Sequence, residues 1–162
     1  MIQVKVKYVG IEEETGHPLV LLSNMDESEY LPIVIGPYEA GAILAGMEGR
    51  RFSRPLTHDL AAEVIRSLGG CLTCVTISGL ADNTFYAYLH IVVDGEKKVI
   101  DARPSDALAI ALRLNADIYV DEDVAAVCML PAERFEGVDR EKEEFLRFLE
   151  NLTPDDFRRN LE

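Results

Sequence analysis

The chain has no tryptophan, only three cysteines in 162 residues, and 16 lysines and arginines against 29 aspartates and glutamates. Each shortage excludes something. Without tryptophan, and with aromatics at 7%, no clustered aromatic–basic surface is legible, so a stacking platform for single strands has no support in the sequence. The formal net charge of −13 argues against broad, charge-driven binding to nucleic acid, which needs cations to replace the phosphate counterions. A local basic patch stays open, and acidity also serves solubility. An odd number of thiols, with no signal peptide in view, points to reduced cysteines in a cytoplasmic protein. Cys71 and Cys74 form a C-x-x-C, but no second pair completes a zinc site. Residues i and i+3 of a strand point to opposite faces, so both thiols, like Cys128, read as ordinary packing. No apolar run approaches the ~18 residues of a membrane span. The opening MIQVKVKYVG alternates apolar and polar, as a strand does and a signal peptide does not. Walker, G-x-G-x-x-G, G-x-S-x-G and H-E-x-x-H motifs are missing.

What is present suits one domain and a tail. Residues 2–8, 19–23 (LVLLS) and 30–35 (YLPIVI) read as three strands joined by polar turns. Pro32 cannot donate to a ladder, which puts the third strand at an edge or leaves its first residues unpaired. Pro37 opens a helix with Ala40, Ile43, Leu44 and Met47 as its apolar stripe. Gly41 in its middle suggests close packing, and Gly46 and Gly49 suit its end. Residues 50–55 (RRFSRP) form a basic connector. The helix over 56–68 should bury Leu56, Leu60, Val64, Ile65 and Leu68. Strands follow at 72–78 and 84–93. The second is apolar on both faces, which predicts a central strand covered on both sides. Asp94-Gly95 turns the chain into a strand at 97–102. A helix opened by Pro104, a strand at 117–120 and a helical turn at 121–127 complete a body of residues 1–130. Residues 131–162 form an acidic helical tail. Its Phe145, Phe148, Leu149 and Leu152 share one helical face, expected to pack on the body or on a partner subunit.

Residues 33–44 can be laid on 100–111 without a gap. Pro37, Glu39, Ala40, Ala42 and Ile43 match Pro104, Asp106, Ala107, Ala109 and Ile110, and each copy follows three strand-like segments. The body therefore reads as two βββα units joined through the 56–68 helix. An acid in the first helical turn occurs in both copies, so Glu39 and Asp106 share a structural explanation in the helix dipole. Asp101 and Arg103 have Val34 and Gly36 as counterparts. Only the second copy carries charge on both sides of its strand–helix turn, a place suited to an anion, a metal or an ion pair.

Two charged runs, residues 54–59 (RPLTHD) and 101–106 (DARPSD), hold the candidates for chemistry. Phosphodiester cleavage needs an activated water, charge stabilisation at phosphorus and help for the leaving oxygen. Asp59, Asp101, Asp106 and Glu39 are carboxylates able to hold a divalent metal, Mg²⁺ or Mn²⁺. Arg54 and Arg103 match phosphate geometry, with Ser105 beside them as a further substrate contact. His58 can move protons near neutral pH. The competing explanation is a salt-bridged network that clamps helix starts to the sheet, and the spacing alone does not choose between the two.

Four stretches, in this order, resemble the bifunctional nuclease family, a domain widespread in bacteria and plants. They are residues 31–45 (LPIVIGPYEAGAILA), 54–60 (RPLTHDL), 83–88 (NTFYAY) and 100–111 (IDARPSDALAIA). The resemblance covers about residues 1–130 and leaves the tail outside. It implies an α+β fold with a predominantly antiparallel sheet, nuclease activity on DNA and RNA, and homo-oligomers, but brings no settled catalytic residues. Glu39, Arg54, His58, Asp59, Asp101, Arg103, Ser105 and Asp106 are all present. The resulting expectation is a nuclease with His58, Asp59, Asp101 and Asp106 as catalytic residues. Arg54, Arg103 and Ser105 would contact phosphate, and Asp101, Asp106 and Glu39 would hold the metal. The alternative is a non-enzymatic module that binds a small anion or a partner protein through the same cluster.

Overall fold

The computed structural model describes residues 1–12, 15–81 and 84–135. The tail face of Phe145, Phe148, Leu149 and Leu152 lies outside the described residues. The body is α+β. Its strands are β1 (Ile2–Ile11), β2 (Pro18–Asn24), β3 (Glu29–Val34), β4 (Gly70–Ala81), β5 (Thr84–Val93), β6 (Glu96–Ala102), β7 (Asp117–Val120) and β8 (Leu130–Pro131). The helices are α1 (Pro37–Met47), α2 (Thr57–Ser67), α3 (Pro104–Leu114) and α4 (Glu122–Cys128). One mixed sheet runs β6-β5-β4-β7-β1-β2-β3-β8. Every neighbouring pair is antiparallel except β4 with β7.

That order carries the duplication. β1-β2-β3-α1 and β4-β5-β6-α3 are two meanders, each with its first strand innermost, and β7 is inserted between them. Six steps of ordinary strand twist, about 20–25° each, separate β6 from β3. The sheet therefore turns far enough for the ends of β3 and β6 to line one hollow, which Val34, Gly36, Arg103 and Ser105 share. α1 and α3 run side by side in the same direction. Arg103 meets Glu39 at one end, and at the other a Cβ on Gly46 would stand 3.0 Å from both Leu112 Cβ and Arg113 Nη1. Val20, Leu22, Leu31, Ile43, Val75, Ile77, Leu108 and Val120 form the core beneath them.

Several expectations need correction. Gly41 faces open space, and the close approach occurs at Gly46 instead. Met47 is exposed. β5 is second from the edge. It buries Ala87, Leu89 and Ile91 on one face only, while Tyr86, Tyr88, His90 and Val92 remain exposed or half-buried. His90 is held there by a 3.0 Å contact between Nε2 and Thr76 Oγ1. Cys71 and Cys74 do not point to opposite faces. The ladder slips between Leu72 and Cys74, setting Cys71 opposite Val92 and Cys74 opposite His90, two positions of one face. Thr73 is the extra residue of this bulge, and its hydroxyl donates to the His90 carbonyl at 2.9 Å. The largest departure is α2. Only Ala62 is buried, while Leu56, Leu60, Val64 and Leu68 are 46%, 53%, 46% and 72% exposed. β3 is second from the edge and its first residues, Glu29 and Tyr30, are the ones that β8 pairs, so the expectation for Pro32 holds only locally: among the described residues nothing pairs with β3 on that side at Pro32.

Candidate active site

Three helix starts meet around one hollow of about 790 Å³. α1 contributes Tyr38 and Glu39, α2 contributes Thr57 and His58, and α3 contributes Asp106 with Arg103 at its N-cap. Pro37 and Pro104 explain two of these starts, because proline at a helix's first position loses no intrahelical bond. The unpaired N–H groups of a helix start carry partial positive charge, so this end of the molecule favours negative groups. The surrounding wall is apolar, with Ala42, Pro55, Leu56, Ala61 and Ile110.

Arg103 is the centre of the polar cluster. Its Nε and Nη2 donate to Asp106 at 2.7 and 3.0 Å, and its Nη1 donates to Glu39 Oε1 at 2.9 Å. A guanidinium has five N–H groups, so two remain, on a side chain that is 63% exposed. Donation of these hydrogen bonds to the Asp106 carboxylate, against a smaller burial effect, raises the Arg103 pKa further. The other Glu39 oxygen lies over Gly36, where any Cβ would collide with it.

His58 approaches Asp106 from the other side, Nε2 to Oδ1 at 2.8 Å. Burial pushes the Asp106 carboxyl up, but hydrogen bonds from Arg103 and His58 outweigh it, and the net shift is downward. Asp106 is therefore a carboxylate, and His58 Nε2–H donates to it. In the neutral form of the ring this is the Nε2–H tautomer, whose Nδ1 is the acceptor.

The other candidates are placed differently. Asp59 points away from the hollow. Its Oδ2 accepts the Leu56 N–H at 2.9 Å, and its Oδ1 accepts Arg113 Nε. Burial raises its carboxyl, while the bonds from Arg113 and Leu56 pull it lower overall. Asp59 thus ties the α2 start to the α3 end. Asp101 is exposed on β6, opposite Tyr88, on the sheet face away from the helices. Arg54 is exposed in the connector and has no ion pair among the described residues. Ser105 is 6% exposed and lines the neighbouring hollow of about 430 Å³, which shares Glu39 and Arg103. Among the described residues no three His, Cys, Asp or Glu side chains form a group able to hold a metal.

Sequence reasoning missed Tyr38, which is 66% exposed beside the hollow, and Arg113. The signal for Arg113 was available. It stands seven residues after Asp106 on the same face of an otherwise apolar helix, a spacing that predicts a buried partner.

The bifunctional nuclease domain model matches residues 20–133. The chain belongs to the bifunctional nuclease domain family. All three helix starts of the hollow fall inside that match. A protein of Mycobacterium tuberculosis H37Rv, described as uncharacterized, is 41% identical over 165 residues, covering 98% of this chain and 99% of the relative. Bifunctional nuclease 1 of rice (Oryza sativa subsp. japonica) is 24% identical over 128 residues, 76% of this chain but 39% of the plant protein. Bifunctional nuclease 1 of Arabidopsis thaliana is 26% identical over 113 residues, 67% of this chain and 35% of the relative. The plant proteins thus share the nuclease domain within much longer chains, while the mycobacterial relative also spans the tail.

Proposed function

We propose that the chain is a nuclease that hydrolyses phosphodiester bonds of DNA, RNA or both at the hollow where the three helix starts meet. The observation that carries this reading is the His58–Asp106 pair beside an exposed Arg103 with two N–H groups to spare. Phosphate oxygens would take those N–H groups, in the paired geometry that guanidinium suits, with the helix starts adding favourable field. His58 Nδ1 would accept a proton from water as its oxygen attacks phosphorus, and the P–O bond to the leaving sugar oxygen would break. The resulting imidazolium is stabilised by the Asp106 carboxylate and returns a proton to the solvent or to the leaving oxygen. Membership of the family supports this reading, and so do plant relatives that bear the name bifunctional nuclease.

Metal assistance by Mg²⁺ or Mn²⁺ is a separate part of the proposal. Both Asp106 oxygens and one Glu39 oxygen already accept from Arg103 or His58, and Asp101 stands on another face. The set as it stands fits a guanidinium better than an ion, and an ion would compete with Arg103 for the same carboxylates. A cytoplasmic setting is likewise part of the proposal, supported by free thiols at Cys71, Cys74 and Cys128. No described helix is long and apolar enough to cross a membrane.

The test incubates wild type, His58→Ala and Asp106→Asn with labelled single- and double-stranded DNA and RNA, with Mg²⁺, with Mn²⁺ and with chelator. Circular dichroism checks that each variant folds. Cleavage lost in folded variants supports the site. Equal cleavage in all three rules it out. A second reading, an anion-binding module, rests on the exposed Arg103 alone, and phosphate binding without cleavage under any condition would select it.

A further inference from the structure

On the far side of α2 lies a second hollow of about 900 Å³, lined by the basic connector through Arg50, Arg51 and Phe52 and by Arg66 and Arg113. Pro55 lines both hollows. The two therefore flank the first turn of α2, with His58 facing one and Asp59 the other. A helix is about 10 Å across, so a strand leaving the first hollow over Pro55 enters the second within a short span.

The second hollow has uncommitted cations. Arg50 pairs with Glu48 and Arg113 with Asp59, while Glu63 accepts from Ser67. Arg51 and Arg66 have no carboxylate partner among the described residues, and Arg66 donates only to the Arg113 carbonyl at 2.9 Å. Arg113 adds an independent observation. Its side chain is 9% exposed, its Nε and Nη1 are satisfied, and its Nη2 is buried with no acceptor among the described residues. A buried N–H group without a partner calls for an ion or a water. Phe52, 44% exposed, adds a π-face among these arginines. Alternating cations and an aromatic face in a groove is the pattern that binds single strands with little sequence preference.

We propose that this second hollow is a subsite for single-stranded nucleic acid, holding the phosphates and a base next to the cleaved bond. The inference rests on the nuclease reading of the first hollow. It also places a local basic path on a chain of net charge −13.

The test compares full-length wild type with the double variant Arg51→Ala/Phe52→Ala, both exposed positions, with circular dichroism to confirm folding. Binding of a labelled single strand of about a dozen nucleotides is measured against salt. Cleavage is measured on that strand and on a dinucleotide. The expected result is a slope of log Kd against log salt that falls by about 0.7 for one lost phosphate contact. Affinity should weaken about tenfold through the lost stack, and the loss of cleavage should grow with strand length. An unchanged slope and affinity in the folded variant, or a loss equal on both substrates, overturns the subsite. If wild type cleaves neither substrate yet the slope still falls, the nuclease reading fails and strand binding stands.

Discussion

Glu39 and Asp106 occupy the same position in the two repeat units, and both carboxylates bond to the guanidinium of Arg103. First-turn acids that would each serve only their own helix dipole are brought together by the turn of the sheet and the parallel run of α1 and α3. Near each other they would repel, and Arg103 neutralises the pair. Replacing Arg103 by Ala should cost about 1 kcal/mol, small because the side chain is largely exposed, and should raise the pKa of one of the acids. Urea unfolding gives the first, and carboxyl titration by NMR the second.

Stability should depend on pH through Asp106 and Asp59. Both carboxyls are held below their ordinary value of 3.8, so the unfolded chain binds more protons as the medium turns acid. Their stabilisation is complete above that value and is lost as pH falls through the folded pKa values. In Asp106→Asn the decline of the unfolding midpoint as the pH falls below the ordinary carboxyl value should flatten, and an unchanged acid limb would contradict the assignment.

Asp59 and His58, neighbours on α2, should give opposite variant profiles. Asp59→Ala leaves Arg113 buried without its carboxylate, at a cost of about 3 kcal/mol, and cleavage should follow the folded fraction. His58→Ala should abolish cleavage with little change in the unfolding midpoint. Thermal unfolding and activity on the same samples separate the two.

The two glycines of α1 should respond with opposite signs. A Cβ on Gly41 meets nothing within 4 Å, so Gly41→Ala should stabilise by about 0.5–1 kcal/mol. A Cβ on Gly46 crowds Leu112 and Arg113, so Gly46→Ala should destabilise by about 1 kcal/mol or more. Denaturant midpoints decide both.

The exposed stripe of Leu56, Leu60, Val64 and Leu68 has the four-residue spacing that interleaves with its own copy across a two-fold axis. Self-association through α2 should follow, with Leu60→Glu shifting the sedimentation coefficient toward the monomer. A monomeric wild type would exclude this use of the stripe.

The strand and helix pattern was legible because burial on one face writes a period into the chain, and the duplication was legible because both Pro-x-acid turns survive. The same period misled at α2. It marks Leu60 and Val64 as apolar but not what covers them. Cys71 and Cys74 were misplaced because a bulge at Thr73 is a property of the paired ladder, which one strand's sequence does not display. The cluster itself was half legible. His58, Arg103 and Asp106 converge from the two charged runs and Glu39 joins them from α1. Asp101 does not, since which face it takes depends on the register of β6 with β5, and Arg54 stays exposed in the connector.

Gly36 and Arg103 stand at equivalent places in the two halves, and their difference has a structural consequence. Gly36 leaves room for the Glu39 carboxylate to fold back, and Arg103 supplies the cation that holds it. Had both copies kept the same residue, two guanidiniums or none would confront the pair of acids. Neither half alone holds a complete cluster. The cluster at this spot exists because the two units differ there.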